Sequence, residues 1–322
     1  MKIGILGDTH ITDKAPERRI DNYFQTQMRK FSQALTIFEE NKCSCIVQPG
    51  DFFDSPGVSN RVKSYVISLL NACFKSGFVA FDKIYCCWGQ HDVTGHSKFT
   101  LPNSPLAVLE AAEVVKILSE EPIVVGRVSE DDGTRVCLYG AGLGEDIPEP
   151  YEDSYNILVA HKMVGDRLLW PGQELVGPRN FLREHPGFNL IVAGDYHYRF
   201  YENWNGRTIV NVGALVRKTI SEYDLLHKPA VGVFDTLCNS LEIYELDAKP
   251  VNEVFDLSRE VKGEESEEHK KLLAELVGRL KEGSGKLLGW KHILVKVLEE
   301  RKSSLSVKKL IDKALEEFKT RK

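Results

Sequence analysis

The chain has 322 residues, enough for one large domain with an appendage or for two modest domains. At 42% hydrophobic and 28% charged it has an ordinary globular make-up, and no apolar run is long enough to span a bilayer. A net charge of -5 excludes a global basic field that would draw the chain to nucleic acid, although bound cations can supply positive charge locally.

Lys2 to Leu6 reads as an apolar strand that ends in Gly7-Asp8-Thr9-His10. From about Glu17 to Glu40, the spacing of Ile20, Phe24, Met28, Phe31, Leu35 and Phe38 predicts a helix with one buried face. A strand over 45–49 then delivers Gly50-Asp51-Phe52-Phe53-Asp54. Val62, Val66, Leu69, Leu70 and Cys73 mark a second helix. Ile84 to Trp88 is a third strand, ending in Gly89-Gln90-His91-Asp92. A third helix, capped by Asn103 or Ser104 with Pro105 in its first turn, is predicted to run to about Leu118.

Residues 122–125 and 135–139 read as a strand pair. The glycines at 140, 142 and 144 are followed by Glu145, where a dinucleotide-binding fingerprint needs glycine, so this stretch is read as a loop. Strands at 156–160 and 190–193 end in His161 and in Gly194-Asp195-Tyr196-His197. Three more strands are expected at 208–212, 230–234 and 241–244. The last part of the chain, rich in Lys, Glu and Leu, suggests helices near 266–281 and 305–319, with 289–300 of uncertain type.

The seven cysteines form an odd set without a Cys-x-x-Cys pair, which points to buried thiols in a reducing compartment rather than a zinc cluster. Asp8 follows the first residues too closely for a signal peptide. The expected location is therefore cytoplasmic, or the host cytoplasm if the protein is viral.

Five strands thus end in Asp, His or both. Carboxylates and imidazoles gathered at one sheet edge repel or go unsatisfied unless a positive charge sits among them. Two divalent cations are the simplest answer, and mixed oxygen and nitrogen donors suit Mn, Fe or Zn. Such a pair, ~3.5–4 Å apart, clamps an attacking oxygen and a phosphoryl oxygen in line. His96, His185, His227, His269 and His292 lack the pattern and are assigned to the surface or to the surroundings of the site.

The ordered motifs Asp8-Thr9-His10, Gly50-Asp51-x-x-Asp54, Gly89-Gln90-His91-Asp92, His161 and Gly194-Asp195-x-His197 resemble those of calcineurin-like metallophosphoesterases. Within that family, Asn211-Val212-Gly213-Ala214-Leu215-Val216-Arg217, followed by Ser221-Glu222 and a returning strand, looks most like the SbcD nuclease subunit of the SbcCD DNA-repair complex and its phage relatives. The resemblance implies a layered α/β fold, two mixed β-sheets flanked by helices, over residues 1–250. A small, mostly helical extension over 251–322 would dock a partner.

By position, Asp8, His10 and His197 would hold a first metal, most naturally Mn2+ with Mg2+ as the alternative. Asp51 would bridge to a second, completed by His161, Gln90 and Asp195. His91 would orient the phosphate or protonate the leaving oxygen, and Asp54 would pair with His91 and fix its tautomer. The family carries Asn at position 90 and His at position 195, so Gln90 and Asp195 are departures. The implied function is a metal-dependent DNA nuclease hydrolysing phosphodiester bonds with hydroxide activated by two metals. Its partners would be DNA and an SbcC-like SMC-type ATPase; a homodimer is left open and no membrane is involved. The alternatives are a stand-alone phosphatase or phosphodiesterase on other phosphoesters, and a degenerate scaffold subunit of the ATPase complex.

Overall fold

Side-chain alternation builds the layers. The computed structural model describes residues 1–257 apart from 76–78, 132, 170–172 and 174. In chain order its strands are β1 (Lys2–Ile5), β2 (Cys45–Gln48), β3 (Ile84–Cys86), β4 (Val115–Ile117), β5 (Ile123–Arg127), β6 (Arg135–Ala141), β7 (Ser154–Ala160), β8 (Leu190–Ala193), β9 (Phe200–Trp204), β10 (Arg207–Asn211), β11 (Ala230–Asp235) and β12 (Ser240–Glu245). The helices are α1 (Tyr23–Glu40), α2 (Asn60–Phe74), α3 (Pro105–Ala111), α4 (Pro178–Glu184), α5 (Glu222–Leu226) and α6 (Val251–Val254). The helices expected near 266–281 and 305–319, the segment 289–300, and His269 and His292 lie outside the described residues.

Two six-stranded mixed sheets form, ordered β12-β11-β1-β2-β3-β4 and β5-β6-β7-β8-β10-β9. In the first, β1 to β4 run parallel and β11 is antiparallel to β1. In the second, β6, β7, β8 and β10 run parallel between antiparallel edge strands. Alternate residues Ile3, Ile5, Cys45 and Val47 of the first sheet pack with Ile157, Val159, Leu190 and Val192 of the second. The other face of the first sheet, with Leu6, Ile46 and Ile84, packs against Phe31, Phe38 and Val66 of α1 and α2. Phe38 presses so closely on Gly4 that an added Cβ there would lie 2.8 Å from its ring. Truncating a fully buried ring such as Phe38 to Ala costs about 3–5 kcal/mol. The outer face of the second sheet, with Tyr139, Leu158 and Ile191, is covered by Phe181 and Leu182 of α4. The layers are helix, sheet, sheet, helix.

The first helix starts later than its apolar spacing suggests. The Asn22 side chain accepts from the Gln25 N–H and caps it, which leaves Ile20 outside and 58% exposed. The third helix, expected to reach Leu118, stops at Ala111. Glu113 turns left-handed (φ 61°) and the Val114 N–H closes back on the Leu109 carbonyl at 3.2 Å. The β-branched Val115 and Ile117 then pair as β4 at the sheet edge. Strand β9 was not legible as a strand; it is an edge hairpin partner of β10 with alternating exposure. Of the glycine-rich stretch expected to be a loop, Gly140 extends β6, where it pairs with Val159, and the chain turns beyond Ala141, with Glu145 Oε2 accepting from the Gly142 N–H at 2.7 Å.

Candidate metal centre

The five motif-bearing strand ends meet, but they come from two sheets rather than one edge. β1, β2 and β3 supply the first three motifs, while β7 and β8 supply His161 and the last. The link between sheets is direct: His161 Nδ1 donates to the Pro49 carbonyl at 2.8 Å. Three motif residues sit in the left-handed region, His10 (φ 44°), Asp51 (φ 51°) and Asp195 (φ 71°). Such strain persists where surrounding structure imposes it, and it clusters at functional sites. Two glycines make room for the side chains. A Cβ at Gly50 would lie 2.4 Å from His161 Nδ1, and one at Gly89 would lie 2.2 Å from Asp51 Oδ1.

Asp51 is central. Its Oδ1 accepts from the His91 N–H at 2.8 Å. Its Oδ2 faces three imidazole Nε2 atoms, of His161 at 3.5 Å, His10 at 3.8 Å and His91 at 3.9 Å, and makes no hydrogen bond. On one side Asp8, His10 and His197 place their donor atoms within 4.8 Å of one another. His10 Nε2 and His197 Nε2 are 3.0 Å apart, and Asp8 Oδ2 is 3.5 Å from His197 Nε2. On the other side Gln90 Oε1 lies 2.8 Å from His161 Nε2, and Asp195 Oδ1 lies 3.8 Å from it. His10, Asp51 and His91 form a further group of converging donors, a combination the motif order does not suggest.

The electrostatics are those of a site short of positive charge. Burial raises the Asp8 carboxyl well above its ordinary range, and the carboxylates of Asp51 and Asp195 add to this while His161 opposes it. Burial also acts against the charge on Asp51, but His161, His10 and His91 outweigh it and hold that carboxyl below the usual range. Burial disfavours a charged His161, yet Asp51, Asp8 and Asp195 raise it to about 10. Burial keeps His10 and His197 neutral, with their donor nitrogens turned inward. Asp8 Oδ1 and Asp51 Oδ2 are buried without any hydrogen-bond partner. Buried carboxylate oxygens left so are costly, and converging imidazole nitrogens beside them match divalent metal chemistry.

The motif residues expected at the site are brought together there, and Asp54 is placed differently from the expected pairing with His91. Asp54 meets His91 through its main-chain carbonyl, to which His91 Nδ1 donates at 3.0 Å, and not through its carboxylate. That carboxylate is drawn away by Lys218 and lies 3.3 Å from His10 Nδ1. Burial acts against its charge, but His10 and Lys218 prevail and lower it to about 2. Lys218 itself was missed: it follows Arg217 in a loop with no periodicity to mark it. Asp92 is fully buried and accepts main-chain N–H bonds from Phe53 at 2.9 Å and Gly89 at 2.9 Å, holding the motif loops together. His227 is buried beside the site, bonded to the Ala214 carbonyl at 2.7 Å.

Residues 1–209 match the family described as calcineurin-like phosphoesterase, and the chain belongs to that family. It is thus a metal-dependent phosphoesterase by family, and the donor set fits the dimetal centre the family uses. Among solved structures it is similar to an archaeal phosphodiesterase, at 16% identity over 76% of this chain and 100% of that one, with a TM-score of 0.40. It is also similar to a dimetal phosphatase from Danio rerio, at 11% identity over 78% of this chain and 97% of that one, with a TM-score of 0.46. No curated protein matches the sequence. Among the described residues no helix is long and apolar enough to cross a membrane.

Proposed function

We propose that this phosphoesterase acts on the phosphodiester bonds of DNA, as the nuclease subunit of a complex with an SbcC-like SMC-type ATPase. The observation that carries the phosphodiester chemistry is Asp51 Oδ2, unpartnered at the centre of three imidazoles. Asp8, His10 and His197 would hold one ion, Gln90 and His161 the other, and Asp51 both. When bound, the two ions, Mn2+ or Mg2+, supply positive charge to the phosphoryl oxygens and make a water more acidic. His91, anchored through its Nδ1–H and 41% exposed at its side chain, would as the doubly protonated imidazolium donate the Nε2 proton to the leaving oxygen and become neutral. Lys218 places a cation at the same rim, held by Asp54.

The reading of DNA as substrate rests on the resemblance of the segment 211–217, which begins at the end of β10, to SbcD nucleases. The Leu215 N–H donates to the Asp8 carbonyl at 2.9 Å and the Ala214 N–H to the His197 carbonyl at 3.3 Å. The same stretch braces Asp8 and His197, two of the residues that would hold the first ion. A stand-alone phosphatase or phosphodiesterase is the second reading, favoured by the net charge of -5. A degenerate scaffold is disfavoured by His161, whose Nε2 lies 2.8 Å from Gln90 Oε1 and 3.5 Å from Asp51 Oδ2. Incubating the full chain with labelled linear DNA and with a generic phosphodiester, in Mn2+ and in Mg2+, tests the proposal. Cleavage of DNA that weakens steeply with salt is expected. Turnover of the generic ester with no DNA cleavage, even with the ATPase added, would sink the nuclease reading.

A further inference from the structure

Gln90 and Asp195 are the two motif positions at which this chain departs from the family pattern, and in the fold they touch. Gln90 Nε2 donates to Asp195 Oδ1 at 2.7 Å. A carboxylate only accepts, so the amide NH2 must face Asp195, and the amide oxygen must then face the other way. It does, reaching His161 Nε2 at 2.8 Å, whereas Asp195 Oδ1 stays 3.8 Å from that nitrogen. The main chain leaves Asp195 little freedom to come closer. Its backbone is fixed in the left-handed region, φ 71°, and its N–H is held by Asp8 Oδ2 at 2.9 Å. Gln is one methylene longer than Asn and Asp is shorter than His, so the reach gained on one strand end is given up on the other.

We infer that Gln90 and Asp195 act as one unit, in which Asp195 is a positioning residue that turns the Gln90 carbonyl oxygen toward His161 instead of binding the second ion itself. This rests on the two-ion reading above. It predicts that either member alone is the wrong partner for the family's version of the other. A His at position 195 removes the acceptor that orients Gln90, and an Asn at position 90 falls short of Asp195.

The test is a double-mutant cycle on Mn2+ binding by the metal-stripped full chain, read by titration calorimetry. Gln90→Asn and Asp195→His should each weaken the second site ~10–100-fold, the range for residues that orient a ligand. The double variant should return to within about threefold of the wild type, because Asn at position 90 with His at position 195 is itself a matched pair, the one the family pattern carries, so the two changes compensate instead of adding. Asn, Asp and His are the side chains that best tolerate a left-handed backbone, which favours folding of Asp195→His. If it does not fold, Asp195→Gly takes its place, and Gln90→Asn should then cost less in that background than in the wild type. Losses that add would overturn the unit and make Asp195 an independent ligand. A wild type that binds a single equivalent would overturn the two-ion reading itself, and this inference with it.

Discussion

Among the described residues, two clusters of buried charged side chains solve the problem of burial in opposite ways. Beside α1, Arg19, Lys30 and Arg217 are all less than one-tenth exposed, and each is satisfied from within. Arg19 donates to both oxygens of Asp21 at 2.8 Å and to the Arg217 carbonyl at 2.6 Å. Arg217 donates to the Lys249 carbonyl and Lys30 to the Asp247 carbonyl, so the cations pin the chain after β12. At the metal centre the charges are acidic, and the key oxygens of Asp8 and Asp51 have no such partner. Internally satisfied charge fixes structure; unsatisfied charge at strained strand ends implies an absent counter-charge.

The comparison breaks most decisively at Asp51. Asp51→Asn should abolish phosphoesterase turnover while the circular dichroism spectrum stays that of the wild type, since one shared oxygen serves both donor groups. Substantial residual turnover would remove Asp51 from the centre. His91→Ala should lose ~10²–10⁴-fold in rate, the range for a general acid, with two Mn2+ still bound. Loss of an ion in that variant would make His91 a ligand.

The satisfied cluster should respond in stability instead of rate. Arg19→Ala strands the largely buried Asp21 carboxylate and should cost about 3 kcal/mol in urea unfolding, with turnover per folded molecule unchanged. A variant of full stability would show that the cluster does not pin this part of the fold. The smallest effect concerns Lys30. Burial, with Arg217 and Arg29 adding to it, lowers its pKa to about 8 from the 10.5 of an exposed lysine. The unfolded chain therefore binds this proton more tightly, and folding stability gains from Lys30 as pH rises from about 8 to 10.5. Lys30→Met should remove that rise, seen as a flatter stability profile in this window; identical slopes in the two proteins would count against it.

The motif-bearing strand ends and the apolar face of α1 could be read from the sequence, whereas the buried cations beside α1 could not. Strand ends carrying Asp and His are local signals, so the convergence of Asp8, His10, Asp51, Gln90, His161 and His197 could be expected before their distances were known. The α1 face was legible because Phe24, Met28, Phe31, Leu35 and Phe38 all turn inward. What escaped depends on contacts distant in the chain. The pull of Lys218 on Asp54, 164 residues away, redirects a carboxylate expected on His91. The end of α3 at Glu113 depends on a left-handed residue that no apolar period marks. That Asp195 turns to Gln90, 105 residues away, is likewise invisible in either motif alone.

The central claim, that the unpartnered oxygens of Asp8 and Asp51 are the seats of divalent ions, is tested most directly by anomalous scattering from crystals soaked in Mn2+. The account predicts two manganese peaks flanking the Asp51 carboxylate, one among Asp8, His10 and His197 and one beside Gln90 and His161. Crystals with no peak at Asp51, or with manganese bound only elsewhere on the surface, would contradict it.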